Sequence, residues 1–213
     1  MKRRKNLIEQ LKTLPYFNKA TVYQLGKQYE LANTTIDTYI SRFLKYKELI
    51  QLKKGLYISA DFFNKNRSDI SYSFYLANIL RTPSYVSSWT ALQYYNLTTE
   101  LIYTTTSITP KVTRTYKTKA GVFVYQSIKK ELFCGFSLVR GATVVPADRF
   151  DFFIASPARA LFDLLYFKTH QFRGSQFKDI SRIVEEMRID IGEMDEKERD
   201  AFYAMIKKYL HYE

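Results

Sequence analysis

Two stretches, NTTIDTYISRFLKY (residues 33–46) and LIQLKKGLYI (residues 49–58), decide how this chain is read. In the first, Ile36, Tyr39, Ile40, Phe43 and Leu44 recur at i, i+3, i+4, i+7 and i+8, an apolar stripe along one side of a helix. The opposite side carries Thr34, Thr35, Thr38, Ser41, Arg42 and Lys45, and Asn33, Thr34 and Thr35 offer capping oxygens at the start. The second stretch is two short apolar runs around Lys53-Lys54-Gly55, a strand–turn–strand pattern with a basic tip.

Working outward, two more helices precede this unit. Leu7, Ile8, Leu11 and Leu14 give a helix over about 3–13 that Pro15 ends. Val22, Leu25 and Tyr29 give a second over 20–29, with Gly26 as a weak point. Three short helices followed by a basic hairpin make a winged helix-turn-helix over residues 1–60. Its third helix would enter the major groove of duplex DNA, because that groove admits a helix whose outer face is short, polar and cationic. The expected DNA-binding residues are Thr34, Thr35, Thr38, Arg42 and Lys45 on the helix, with Lys53 and Lys54 at the hairpin tip. Tyr39, Phe43 and Tyr57 sit at core spacing rather than as base-stacking aromatics. Lys2, Arg3, Arg4 and Lys5 form either a phosphate clamp or a disordered start.

Charge supports a polyanionic partner. The chain has 213 residues and a net charge of +12, unevenly placed. Residues 1–58 hold 12 Lys/Arg against 4 Asp/Glu, and residues 101–150 hold 8 against 2. Residues 59–100 are neutral and residues 151–213 slightly acidic. The second basic block contains Lys111, Arg114, Lys117 and Lys119, a secondary basic face expected either beside the DNA or as protection of a sheet edge. One cysteine, Cys134, and two histidines, His170 and His211, leave no Cys/His metal cluster to build. No metal or cofactor is expected, nor any membrane partner. The lone cysteine, expected as a small buried hydrophobe, and the lack of a signal-like apolar run fit the cytoplasm.

Residues 59–69 are polar and mixed, and the domain boundary is placed there. A second domain, 68–213, then begins with a helix over 70–80. Tyr85-Val86-Ser87 is extended, and Ser88 is positioned to cap a helix from Trp89 to about Tyr95. Residues 101–154 alternate and are rich in Thr, Val, Tyr and Phe, which reads as four or five strands. Ser156-Pro157 opens a helix to about Phe167, with two more over 176–188 and 195–210. The fold class is therefore α+β: an N-terminal winged helix-turn-helix, then a mixed α/β domain with an antiparallel-rich sheet and C-terminal helices.

Several motifs of this chain resemble AbiEi-type antitoxins. Arg42-Phe43-Leu44-Lys45 with Lys54-Gly55-Leu56-Tyr57 is similar to the end of that family's winged helix. Tyr85 to Leu92 followed by Leu97-Thr98, the basic segment Ile108–Lys119, and Ala155 to Asp163 resemble further family segments in the same order, over about residues 5–170. Family members often carry Glu where this chain has Ala158, and residues 176–213 match no family segment. The resemblance implies a type IV toxin–antitoxin role. The protein would repress its own operon by binding inverted repeats in the promoter. It would counteract a nucleotidyltransferase-like toxin functionally, with or without touching it.

Two other classes are weighed. A stand-alone winged-helix regulator would use the second domain to sense a ligand or dimerise. A nuclease would need Asp148, Asp151 and Asp163 to converge on a metal, but no Asp/Glu–x–Lys strand pattern follows them. Arg159 and Asp163, four apart on one helix, read as a local ion pair, so no catalytic residue is assigned.

Overall fold

A computed structural model describes residues 2–141, 149–171 and 180–210. Within these the fold is mixed α+β, with helices packed against two sheets that both contain antiparallel strands. The first part is α1 (Lys2–Leu11), β1 (Phe17–Asn18), α2 (Lys19–Lys27), α3 (Asn33–Lys45), β2 (Leu49–Lys53) and β3 (Leu56–Ser59). Strand β3 pairs antiparallel with both β1 and β2, giving the order β1-β3-β2. Leu7, Ile8, Leu11, Phe17, Val22, Ile36, Ile40, Phe43, Leu49 and Tyr57 bury together beneath these elements.

Gly26 is not a weak point but the crossing point of α2 over α3. A Cβ placed there would lie 2.3 Å from Ile36 Cδ1 and 2.9 Å from Cγ1, and Ile36 is wholly buried. The helices also share a polar lock. The Lys19 ammonium lies 2.9 Å from Asp37, and the Tyr23 hydroxyl donates to the same carboxylate at 2.8 Å. Both contacts hold the Asp37 pKa below its ordinary value. Gly26→Ala is therefore expected to destabilise by about 1–2 kcal/mol, overpacking outweighing alanine's better helix propensity. Ile36→Val removes the clashing methyl, so the double variant should be more stable than the sum of the two single losses. Urea denaturation of the three variants measures this, and a Gly26→Ala protein more stable than the parent would refute it.

Within the stretch 59–69, where the domain boundary is placed, the chain folds as a helix. In α4 (Ala60–Asn66) the Ser59 hydroxyl accepts from the Phe62 N–H at 3.0 Å, and Phe62 is buried. The sequence hid this because two adjacent aromatics, Phe62 and Phe63, among Asp, Asn, Lys and Arg leave little periodicity. Strand alternation then divides the hairpin between two cores. Leu49 and Tyr57 face the first, while Ile50, Leu52, Leu56 and Ile58 join Phe62 in the second, larger one. Lys12 pairs with Asp61 at 2.9 Å, and the Tyr72 hydroxyl donates to the Pro15 carbonyl at 2.7 Å, closing the same seam.

The larger part continues with α5 (Ile70–Leu80), β4 (Tyr85–Val86), α6 (Ser88–Tyr94), β5 (Thr104–Thr109), β6 (Arg114–Thr118), β7 (Gly121–Ser127), β8 (Phe136–Val139) and β9 (Phe152–Ala155). It ends with α7 (Pro157–Gln171), α8 (Ile180–Glu186) and α9 (Glu196–Tyr209). The sheet order is β6-β7-β5-β4-β9-β8, with β5–β7 and β4–β9 parallel and the other neighbours antiparallel. Among the described residues, five strands over 104–155 match the four or five read over 101–154. Strand β6 is one edge of the sheet and β8 the other.

Two caps differ from expectation. Ser87, not Ser88, precedes α6, and its hydroxyl makes no capping bond because it donates to Asp163. Ser88 lies inside the helix, buried and with φ of 56°. At α7, Ser156 precedes the helix and Pro157 opens it, as read. The anion at this N-terminus comes from far along the chain: Glu198 of α9 accepts from the Ala158 N–H at 2.7 Å and from the Ser156 hydroxyl at 2.8 Å. Thus α9 supplies the carboxylate at this helix start.

Candidate nucleic-acid interface

Helix α3 is firmly held on one side and open on the other. Ile36, Ile40 and Phe43 are buried, Tyr39 and Leu44 pack partly against the same core, and Tyr57 is buried behind them. On the outer face Thr34, Thr38, Ser41, Arg42 and Lys45 are exposed, while Thr35 is half-buried. The Thr38 hydroxyl donates back to the Thr34 carbonyl at 3.0 Å and that of Ser41 to the Asp37 carbonyl at 2.9 Å. Each oxygen keeps free lone pairs outward, so these side chains can still accept from a base edge.

The start of α3 is uncapped. Its N-cap is Ala32, with no side-chain hydrogen bond, so Asn33, Thr34 and Thr35 do not serve as the cap expected of them. They lie one position too far along: the chain enters the helix at Ala32, whose carbonyl accepts from Ile36 N–H at 3.0 Å. First-turn N–H groups left without a side-chain partner suit a phosphate oxygen.

At the hairpin tip the two lysines part company. Lys54 is exposed in the turn with Gly55. Lys53 is half-buried and donates its ammonium to the Leu80 carbonyl at 2.6 Å, across the seam between the two cores. The bulge between Gln51 and Lys53 changes the alternation that a regular hairpin would have imposed.

The basic start of the chain is helix, not a loose tail. Arg3 pairs with Glu30 at 2.9 Å. Arg4 pairs with Glu48 at 2.9 Å and lies over the rings of Phe43 and Tyr46. These arginines fasten α1 to the rest of the module, which leaves Lys5 exposed and free of ion pairs among the described residues.

The four residues of the second basic block are all exposed, but they do not share a face. Arg114 and Lys117 lie on opposite sides of β6 by strand alternation. Lys119 is in the turn to β7, and Lys111 folds back so that its ammonium meets the Thr82 carbonyl at 2.5 Å.

The acidic residues offer no matching centre. Asp148 lies outside the described residues. Asp151 pairs with Arg149 at 2.9 Å. Asp163 is buried against Arg159 at 2.7 Å, with Ser87 and Tyr85 hydroxyls donating to its other oxygen. Among the described residues no three of His, Cys, Asp and Glu are grouped as for a metal ion, and no helix is long and apolar enough to cross a membrane. Cys134 is exposed rather than buried. It falls in the loop before β8, not on a strand, with Sγ 3.9 Å from Arg159 Nη1. Trp89 packs half-buried against the larger core. No family model matches the chain, and no curated protein matches it.

Proposed function

We propose that residues 1–60 act as a winged helix-turn-helix that binds duplex DNA, with α3 as the recognition helix and the β2–β3 hairpin as the wing. The observation that carries this reading is the two-sided character of α3. A buried Ile36/Ile40/Phe43 face holds it rigid, while an exposed Thr34/Thr38/Arg42/Lys45 face lies open beside an uncapped N-terminus. A rigid helix presenting short hydroxyls meets the requirement for reading base edges, while Arg42 and Lys45 beside them and Lys54 at the wing tip supply flanking phosphate contacts.

Within that class, the resemblance of the motifs at 42–57, 85–98, 108–119 and 155–163 to AbiEi-type antitoxins supports a more particular role. The protein represses its own operon by binding inverted repeats, and residues 68–213 counteract a nucleotidyltransferase-like toxin of a type IV system in the cytoplasm. Footprinting on the DNA upstream of its own gene is expected to protect an inverted repeat. Co-expression with a nucleotidyltransferase-like protein encoded beside it is expected to restore growth. An unprotected promoter would refute the first half, and absence of rescue would refute the second.

A further inference from the structure

The two basic blocks of the chain, separated in sequence by the neutral stretch 59–100, meet at one corner of the molecule. Lys53 at the end of β2 reaches the carbonyl of Leu80, the last residue of α5. The next residue, Arg81, donates to the Val112 carbonyl, and Lys111 donates to that of Thr82. Arg114 opens β6 and lies over the Tyr116 ring, 5.9 Å from its centre. The Tyr116 hydroxyl sits among these groups. Burial acts to raise its pKa, but Arg114 and Arg81 beside the oxygen, with Lys53 beyond, bring it below the ordinary value. Arg81 Nε is buried without a hydrogen-bond partner.

Among the described residues, none of Lys53, Arg81, Lys111 and Arg114 is paired with a carboxylate, whereas Arg3, Arg4, Lys12, Lys19, Arg149 and Arg159 all are. Main-chain carbonyls hold three of the four in place, and a carbonyl cancels no charge. Like charges gathered this way oppose folding unless an anion joins them. Guanidinium groups in such a cluster favour an oxyanion, which can accept several N–H groups at once.

We propose that this corner is a phosphate-binding site, formed by Lys53, Arg81, Arg114 and the Tyr116 hydroxyl with Lys111 at its rim, and that it takes a backbone phosphate of the duplex. The source of the phosphate rests on the DNA-binding reading above; the site itself does not. Lys53 is the neighbour of Lys54, so a duplex contacting the wing tip runs on to this corner without a gap. Because the hairpin, the end of α5 and the β6 edge all contribute, an occupied site also ties the first core to the second.

Two measurements on the full chain test it. The first follows thermal unfolding in rising inorganic phosphate at constant ionic strength. The melting temperature is expected to rise, and the rise to vanish in Arg114→Gln, an exposed position whose change leaves the Arg81 and Lys53 carbonyl contacts intact. The second follows affinity for the upstream duplex against salt. In Arg81→Gln/Arg114→Gln the slope of log K on log salt is expected to become shallower by about one, the contribution of a single phosphate. Loss of the phosphate effect with an unchanged slope would assign the site to free phosphate instead of the duplex backbone. A phosphate effect that survives Arg114→Gln, together with an unchanged slope, would overturn the proposal. If the unaltered protein binds no duplex, the DNA reading fails and the phosphate measurement alone decides the site.

Discussion

Arg159→Met is expected to destabilise the protein by about 3–5 kcal/mol at neutral pH, the range for removing one partner of a buried ion pair. Arg159 is among the largest wholly buried side chains of the molecule, on α7 beneath the sheet. Its guanidinium serves three masters. Nη2 lies 2.7 Å from Asp163 and donates to the Leu132 carbonyl at 2.6 Å, while Nε donates to the Tyr85 hydroxyl at 3.2 Å. Its stem fills the space above Gly135, where a Cβ would come within 2.9 Å of Arg159 Cδ and where φ is +76°. Methionine fills some of that volume but leaves Asp163 buried without a cation and the Leu132 carbonyl without its donor. Adding Asp163→Asn removes the stranded charge while keeping an acceptor for Ser87 and Tyr85, so the double variant should recover most of the loss.

The pH dependence has a definite sign. Burial pushes the Asp163 carboxyl up to about 6, although Arg159, Ser87 and Tyr85 all draw it down. In the unfolded chain an aspartate titrates near about 3.9. Between those values the folded state holds the proton more tightly, so this group stabilises the fold as pH falls from 6 towards 4 and opposes it as pH rises through the same window. Without Arg159 the carboxyl moves higher still. The gap between Arg159→Met and the parent should therefore be wider at pH 8 than at pH 5. Denaturation curves at both pH values check this, and a loss below about 1 kcal/mol at pH 8, the scale of an exposed pair, would mean that solvent screens the pair.

The pairing of Arg159 with Asp163 was legible from their spacing, but its burial was not. An i, i+4 pair is usually a surface pair, and only the docking of α7 under β4, with Tyr85 and Ser87 facing it, makes this one interior. The stripe of α3 was legible because 3.6-residue periodicity is local. The hairpin was legible as a hairpin, yet its division between two cores depends on what packs behind each strand face. That same packing turned Lys53 inward while Lys54 stayed out, although nothing distinguishes the two in sequence. Arg81 went unnoticed because it lies in a charge-neutral stretch. It acquires basic neighbours only when α5 ends beside β2 and β6. Long-range register decided each of these cases, and a one-dimensional pattern does not carry it.

On the proposed DNA-binding reading, neutralising Arg42, Lys45 and Lys54 together by Gln is expected to weaken binding to the upstream duplex by about 100-fold near physiological salt. This follows from three lost phosphate contacts, each contributing about 0.9 to the salt exponent. All three side chains are exposed, and among the described residues none forms an ion pair. Their removal should therefore leave stability nearly unchanged. Lys53 is deliberately retained, since its ammonium holds the Leu80 carbonyl and its loss would mix a structural effect with a binding one. The control replaces Lys65, Lys197 and Lys207, also exposed and well away from α3 in sequence, which lowers the net charge equally. General electrostatic attraction falls alike in both proteins. Only the first variant should lose about three from the salt exponent, because only it removes groups that displace counterions from the duplex. Equal losses in the two proteins would mean that charge alone draws this chain to DNA and that α3 reads nothing. An unchanged affinity in the first variant would remove α3 and the hairpin tip from the interface altogether.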